Sequence, residues 1–110
     1  MSIKISDDLA YDICGKLKEK LQGAKLYFSD NTVMEVSLAT KVCNFNYNDG
    51  YVYLQIDMSF TLSDAKTLNK IEYHDYNLLQ LVRDELNLQL PGDTVSLTHI
   101  IKIPFQFAVY

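Results

Sequence analysis

Residues 51 to 62, YVYLQIDMSFTL, alternate apolar and polar side chains over twelve positions without an error. Val52, Leu54, Ile56, Met58, Phe60 and Leu62 fall on one side, and Tyr51, Tyr53, Gln55, Asp57, Ser59 and Thr61 on the other. A period of two marks a strand with one buried and one open face. A strand of this length needs neighbours along its edges and a layer over its apolar side. The stretch therefore demands a sheet and rules out an all-helical chain.

One neighbour lies directly upstream. From Thr32 the chain turns strand-like, with Met34, Val36, Leu38, Thr40 and Val42 on one side of a period-two pattern. Asn48-Asp49-Gly50 is turn sequence, and Gly50 can take the left-handed position that closes a three-residue loop with a bulge. Such a loop pairs Tyr47 with Tyr51, Phe45 with Tyr53, Cys43 with Gln55 and Lys41 with Asp57. On the other face it sets Val42 opposite Ile56, Thr40 opposite Met58 and Leu38 opposite Phe60. A two-residue loop would instead put Lys41 and Ala39 on the face that carries Met58 and Phe60, so the three-residue loop is the expected one. It gathers Phe45, Tyr47, Tyr51 and Tyr53 on the polar side of a projecting hairpin.

Elsewhere SDDLAYDICGKLKEKLQG reads as a helix, with Ser6 or Asp7 as its cap and Gly23 as its stop. Its apolar stripe is Leu9, Ala10, Ile13, Cys14, Leu17 and Leu21. KLYF then SDN reads as a short strand and a turn. Leu68, Ile71, Leu78, Leu79, Val82 and Leu86 predict a second helix over about 70–87, ended by Pro91-Gly92. Val95, Leu97, His99, Ile101, Ile103, Phe105, Phe107 and Val109 alternate along a last strand, where Pro104 indicates an edge or a bulge. The expected fold is α+β in a single domain, 1–110. It has one antiparallel sheet of about four strands with a long central hairpin, two helices packed mainly on one face, and the order α-β-β-β-α-β. Fifteen extended residues span about 50 Å, against a width of roughly 25 Å for a domain of this size. Such strands must bend, or project and be covered by another chain, which points to self-association.

Composition narrows the function. The apolar fraction of 48% with 22% charged residues is ordinary for a globular chain. A net charge of −4 and a pI near 4.9, with the acids spread along the chain, argue against nucleic acid as the partner. Lys16, Lys18, Lys20 and Lys25 read as a solvated helix face. No apolar run approaches the roughly 18 residues of a membrane span, and the N-terminus lacks the basic-then-apolar pattern of a secretory signal. Two distant cysteines without an Asn-x-Ser/Thr acceptor fit a reducing cytoplasm.

Chemistry-bearing residues are few. AYDICGKL lacks the opening glycine and the Ser/Thr of a phosphate loop. Cys14 reads as a small buried thiol, and Cys43 lies on the aromatic side of the hairpin with no base beside it, apart from Cys14 in the expected register. His99 reads as a core or interface histidine with a satisfied ring. His74, beside Glu72 and Asp75 in EYHDY, belongs to the densest titratable cluster and reads as an exposed helix start with too few ligands for a metal. No catalytic residue, cofactor or metal is expected. The expectation is a non-enzymatic protein-binding or assembly module, self-associating through Phe45, Tyr47, Tyr51 and Tyr53 and through the C-terminal strand. The alternatives are an acidic inhibitor or regulator that docks on a larger protein, and a small ligand binder or enzyme built around His74, Glu72 and Asp75. Small helix-plus-long-hairpin domains occur among ring-forming virus tail and connector subunits and among inhibitors encoded by mobile elements, an analogy of topology alone.

Overall fold

In the computed structural model, backbone is described for residues 3–46, 50–104 and 107–109. The elements run β1 (Ile3–Ile5), α1 (Asp7–Lys20), β2 (Gly23–Phe28), β3 (Val33–Ser37), β4 (Thr40–Asn46), β5 (Tyr51–Leu62), β6 (Lys66–His74), β7 (Gln80–Leu90), β8 (Asp93–Pro104) and β9 (Phe107–Val109). The fold is α+β with antiparallel sheets, one four-stranded in the order β3-β2-β6-β7 and one three-stranded in the order β4-β5-β8. A separate parallel pair joins β1 to β9.

The expected face of β5 is the buried one: Val52, Leu54, Ile56, Met58, Phe60 and Leu62 are all buried. Leu54 to Leu62 share one core with Ala24, Leu26 and Phe28 of β2, Leu68, Ile71 and Tyr73 of β6, and Val95 and Ile101 of β8, so the two sheets pack face to face. Full burial of each such side chain stabilises the fold by about 1.5–3 kcal/mol. Toward the hairpin end the covering layer changes, because α1 lies against β4 and buries Ala10 and Cys14. Ser6 caps α1, its hydroxyl accepting the Leu9 N–H at 3.3 Å. The three-stranded sheet is thus covered by the other sheet at one end and by a helix at the other. This accommodates a twelve-residue strand in a molecule measuring 49 × 26 × 20 Å.

Four expectations are corrected. First, the described residues hold one helix, not two, and two main sheets in place of the expected single one, since residues 66–90 form the β6–β7 hairpin. Leu78 and Leu79 gave the helical spacing, but they lie exposed in the turn, where Asp75 Oδ1 accepts the N–H groups of Asn77 and Leu79 at 2.9 Å each and Leu78 takes a φ of 64°. Second, the strand expected from Thr32 divides, β3 pairing in one sheet and β4 in the other, with Ala39 N–H donating to the Asp57 carbonyl at the corner, 2.8 Å.

Third, the hairpin register is shifted by one: Thr40 faces Asp57, Lys41 Ile56, Cys43 Leu54, Phe45 Val52 and Asn46 Tyr51. Gly50 is left-handed at φ 72°, and its N–H donates to the Asn46 carbonyl at 2.9 Å; Asn48 and Asp49 of the expected turn fall outside the described residues. A one-residue shift turns every β4 side chain to the opposite face. The inner position suits Lys41 because its ammonium donates to the Leu21 carbonyl just past the end of α1, 2.7 Å away. Fourth, α1 ends at Lys20 with Leu21 already extended (φ −80°, ψ 110°), not at Gly23. Gly23 opens β2, and the His74 ring lies across it so closely that an added Cβ would sit 2.6 Å from Cε1. Tyr47 and Phe105 fall outside the described residues. The expected last strand is β8 followed by β9, and β8 is an edge of its sheet.

Candidate interaction surface

The two sheets turn different surfaces outward. On the four-stranded sheet, the register sets Glu35, Lys25, Glu72 and Arg83 in one row across β3, β2, β6 and β7, alternating in sign. The next row pairs Tyr27 with Lys70 and Lys70 with Glu85. Tyr27 O–H donates to Glu72 Oε2 at 2.9 Å, while Lys70 Nζ lies 3.1 Å from Glu72 Oε1 and 4.1 Å from the Tyr27 ring centroid. Desolvation pushes the Glu72 carboxyl up, but the Tyr27 and Lys70 contacts prevail and hold it below its ordinary value. Tyr27 is pushed up in turn, chiefly by its hydrogen bond to that carboxylate. The exposed Val33 is the β3 member of that second row, opposite Tyr27, and the exposed Leu81 lies on the other edge strand, β7.

On the three-stranded sheet the outward rows are Thr40–Asp57–Thr98, Val42–Gln55–Ile100, Asn44–Tyr53–Lys102 and Asn46–Tyr51. Val42 is 44% exposed and Ile100 58%. The Tyr51 and Tyr53 rings are half-buried, 6.4 Å apart and tilted by 51°. Lys102 Nζ sits 4.1 Å from the Tyr51 centroid and 5.9 Å from that of Tyr53. Asp57 accepts from both flanking threonines, from Thr98 Oγ1 at 2.6 Å and from the Thr40 hydroxyl. These bonds, that of Thr40 first, hold its carboxyl below the usual range. Among the described residues of these four rows, Asp57 and Lys102 are the only charged side chains. They stand on either side of the Val42–Gln55–Ile100 row.

Of the four aromatics expected on one surface, the structure brings Tyr51 and Tyr53 together there. It turns Phe45 to the inner side opposite Val52, and Tyr47 is outside the described residues. Val42, Ile100 and Lys102 are additions that the sequence reading lacks. Ile100 does carry a signal, being the apolar residue out of phase in the alternation from Val95 to Ile103. Val42 points inward in the expected register and outward in the observed one.

A further polar cluster runs from the interior to the surface. Tyr73 on β6 is fully buried, and its hydroxyl lies 2.6 Å from His99 Nδ1 on β8. His99 Nε2 is 2.7 Å from Asp84 Oδ2 on β7. A carboxylate only accepts, so Nε2 carries the proton toward Asp84 and Nδ1 accepts from Tyr73. Burial, then the Asp84 charge, push the Tyr73 phenol upward, so it keeps that proton. The chain of bonds links the two sheets, and no buried side-chain nitrogen or oxygen among the described residues lacks a partner. His74 closes β6 as a part-buried residue, not a helix start, and its Nδ1 lies 3.0 Å from the Asp75 carbonyl. No group of three His, Cys, Asp or Glu side chains among the described residues could hold a metal ion. Cys14 and Cys43, expected apart, are brought into contact as free thiols. Burial first, and then Cys14, push the Cys43 thiol up to about 12, so it stays protonated and unreactive.

No helix among the described residues is long and apolar enough to cross a membrane. Comparison with known proteins gives no match: no family model, no curated protein and no solved structure.

Proposed function

We propose that this chain is a non-enzymatic protein-binding and assembly module of the cytoplasm, which self-associates through the outer face of β4, β5 and β8. The observation that carries this reading is the contrast between the two outer faces. One is laced edge to edge with opposite charges, while the other presents Val42 and Ile100 between a tyrosine pair and a row of hydroxyls. A surface low in charge that carries aromatic and branched apolar side chains has the make-up of an interface core. The hairpin supplies Tyr51 and Tyr53, and the C-terminal strand β8 supplies Ile100 and Lys102, so both elements act in one surface.

The reading also draws on the interior. The most catalysis-like constellation, Tyr73–His99–Asp84, has its phenol at 0% exposure, where no substrate reaches it. Sedimentation velocity on the wild type and on Ile100→Asp is the test. The wild type is expected to sediment above monomer mass at high concentration and Ile100→Asp as a monomer with an unchanged fold. Wild-type protein that stays monomeric at every concentration removes the reading. A second reading, an acidic inhibitor on a larger basic protein, is supported by the net charge of −4. It calls for a monomer whose binding to that protein weakens steeply with salt.

A further inference from the structure

We infer that the partner on this face is a second copy of the chain. The two copies are related by a two-fold axis lying between the sheets along the Val42–Gln55–Ile100 row, so that Asp57 of each copy meets Lys102 of the other. The inference deepens the assembly reading and rests on it.

The strand register supplies the geometry. Asp57 lies two residues from Gln55 along β5, and Lys102 lies opposite Tyr53, two residues from Gln55 in the other direction. The anionic and cationic rows are therefore equidistant from the apolar row, at about 7 Å each. A half-turn about the apolar row lays that row on its own copy and exchanges the two charged rows. Val42 then packs on Val42 and Ile100 on Ile100, and Tyr53 of one copy lies over Asp57 of the other. Lys102, on the strand next to Tyr53, is one strand spacing of about 4.8 Å to the side. A lysine stem spans that offset. Asp57 takes one threonine hydroxyl on each oxygen and keeps acceptor capacity for an ammonium.

A two-fold axis along β5 fails on charge. It would lay Asp57 on Asp57 and Lys102 on Asn44, stacking like charges and leaving the cation with no anion. An isologous contact must be complementary to itself, and of these two axes the one along the apolar row meets that condition. The face is also neutral as a unit, although each chain carries −4. The copies therefore repel through their other surfaces, and added salt should strengthen their association. An acidic chain on a basic partner would show the reverse.

The test is a charge exchange read by sedimentation equilibrium. In the Asp57→Lys dimer two ammonium groups would face each other across each contact, and in the Lys102→Asp dimer two carboxylates would. Each variant alone should self-associate at least about tenfold more weakly than the wild type. An equimolar mixture of the two variants restores opposite charges across both contacts and should return to within about threefold of the wild-type constant. A mixture no tighter than its components overturns the arrangement. So does wild-type association that salt weakens. Should Asp57→Lys fold poorly, isotope-filtered NOE spectra of mixed labelled and unlabelled wild type decide the axis. Contacts from Ile100 to Ile100 and Val42 to Val42 between copies support it, and contacts from Val42 to Ile100 overturn it. Loss of association in Ile100→Asp without any response to the charge exchange leaves the assembly surface standing and removes this arrangement alone. A wild type that stays monomeric removes both.

Discussion

Across the outside of the four-stranded sheet runs Glu35–Lys25–Glu72–Arg83, whereas the three-stranded sheet carries Val42–Gln55–Ile100 between a tyrosine–lysine row and a threonine–aspartate row. Both sheets bury the same kind of interior, and their strands obey the same alternation. The difference therefore owes nothing to the needs of the sheet itself, which are met on the inner sides. A ladder of opposite charges keeps water at a surface, because each ion pair would have to be desolvated before anything packed on it. A row of valine, glutamine and isoleucine imposes no such cost. This contrast is what supports the proposal that the two faces have different uses.

The comparison can be broken first at the interior. Leu26→Ala in β2 and Leu54→Ala in β5 both truncate side chains at 0% exposure. Each should cost about 2–5 kcal/mol in urea denaturation. A loss under about 1 kcal/mol for Leu54→Ala would mean that the three-stranded sheet is not held by the shared core. Next comes the bonded chain between the sheets. Tyr73→Phe leaves His99 Nδ1 buried without its donor and should cost about 1–3 kcal/mol by the same method.

Smaller still are effects on the two outer faces, and there stability and association should separate. Ile100→Asp and Arg83→Ala are both surface changes and should each move stability by no more than about 0.5 kcal/mol. Only Ile100→Asp should abolish self-association in light scattering. The smallest effects come from acid. Asp30 is held at about 2, below its ordinary 3.8, by the Thr32 hydroxyl and N–H and by Lys66. Because the folded value is the lower one, its contribution is complete above about pH 4 and disappears as the pH falls through about 2. Asp57 and Glu72, one on each face, are lowered as well and act in the same direction. Comparison of Asp30→Asn with wild type by thermal unfolding from pH 5 to pH 2 should show the gap closing as acid is added.

Much of the fold was legible where a pattern is local and long. The alternation over 51–62 gave the correct inner face of β5, and the cap at Ser6 with its stripe gave α1. Errors arose where a residue is placed by a partner distant in the chain. Lys41 points inward because of a carbonyl twenty residues earlier, at Leu21, and nothing near Lys41 in the sequence announces it. Asp84 occupies an inward position of β7 because His99 of β8 faces it, and a charge at that position hides the strand period. The helical spacing of Leu78 and Leu79 came from a turn closed by Asp75, where two exposed leucines imitate one side of a helix. For the surface, the tyrosines were visible as aromatics on β5. Val42 depended on the register, and Lys102 acquires its place only when β8 is laid against β5.

The central claim is that one outer face assembles and the other does not. Sedimentation equilibrium of the wild type beside Val42→Asp and Lys25→Ala tests it most directly, since each substitution changes one face and leaves the core alone. The account predicts association in the wild type and in Lys25→Ala, with Val42→Asp monomeric at the same concentrations. Association that survives Val42→Asp and is lost in Lys25→Ala would contradict it.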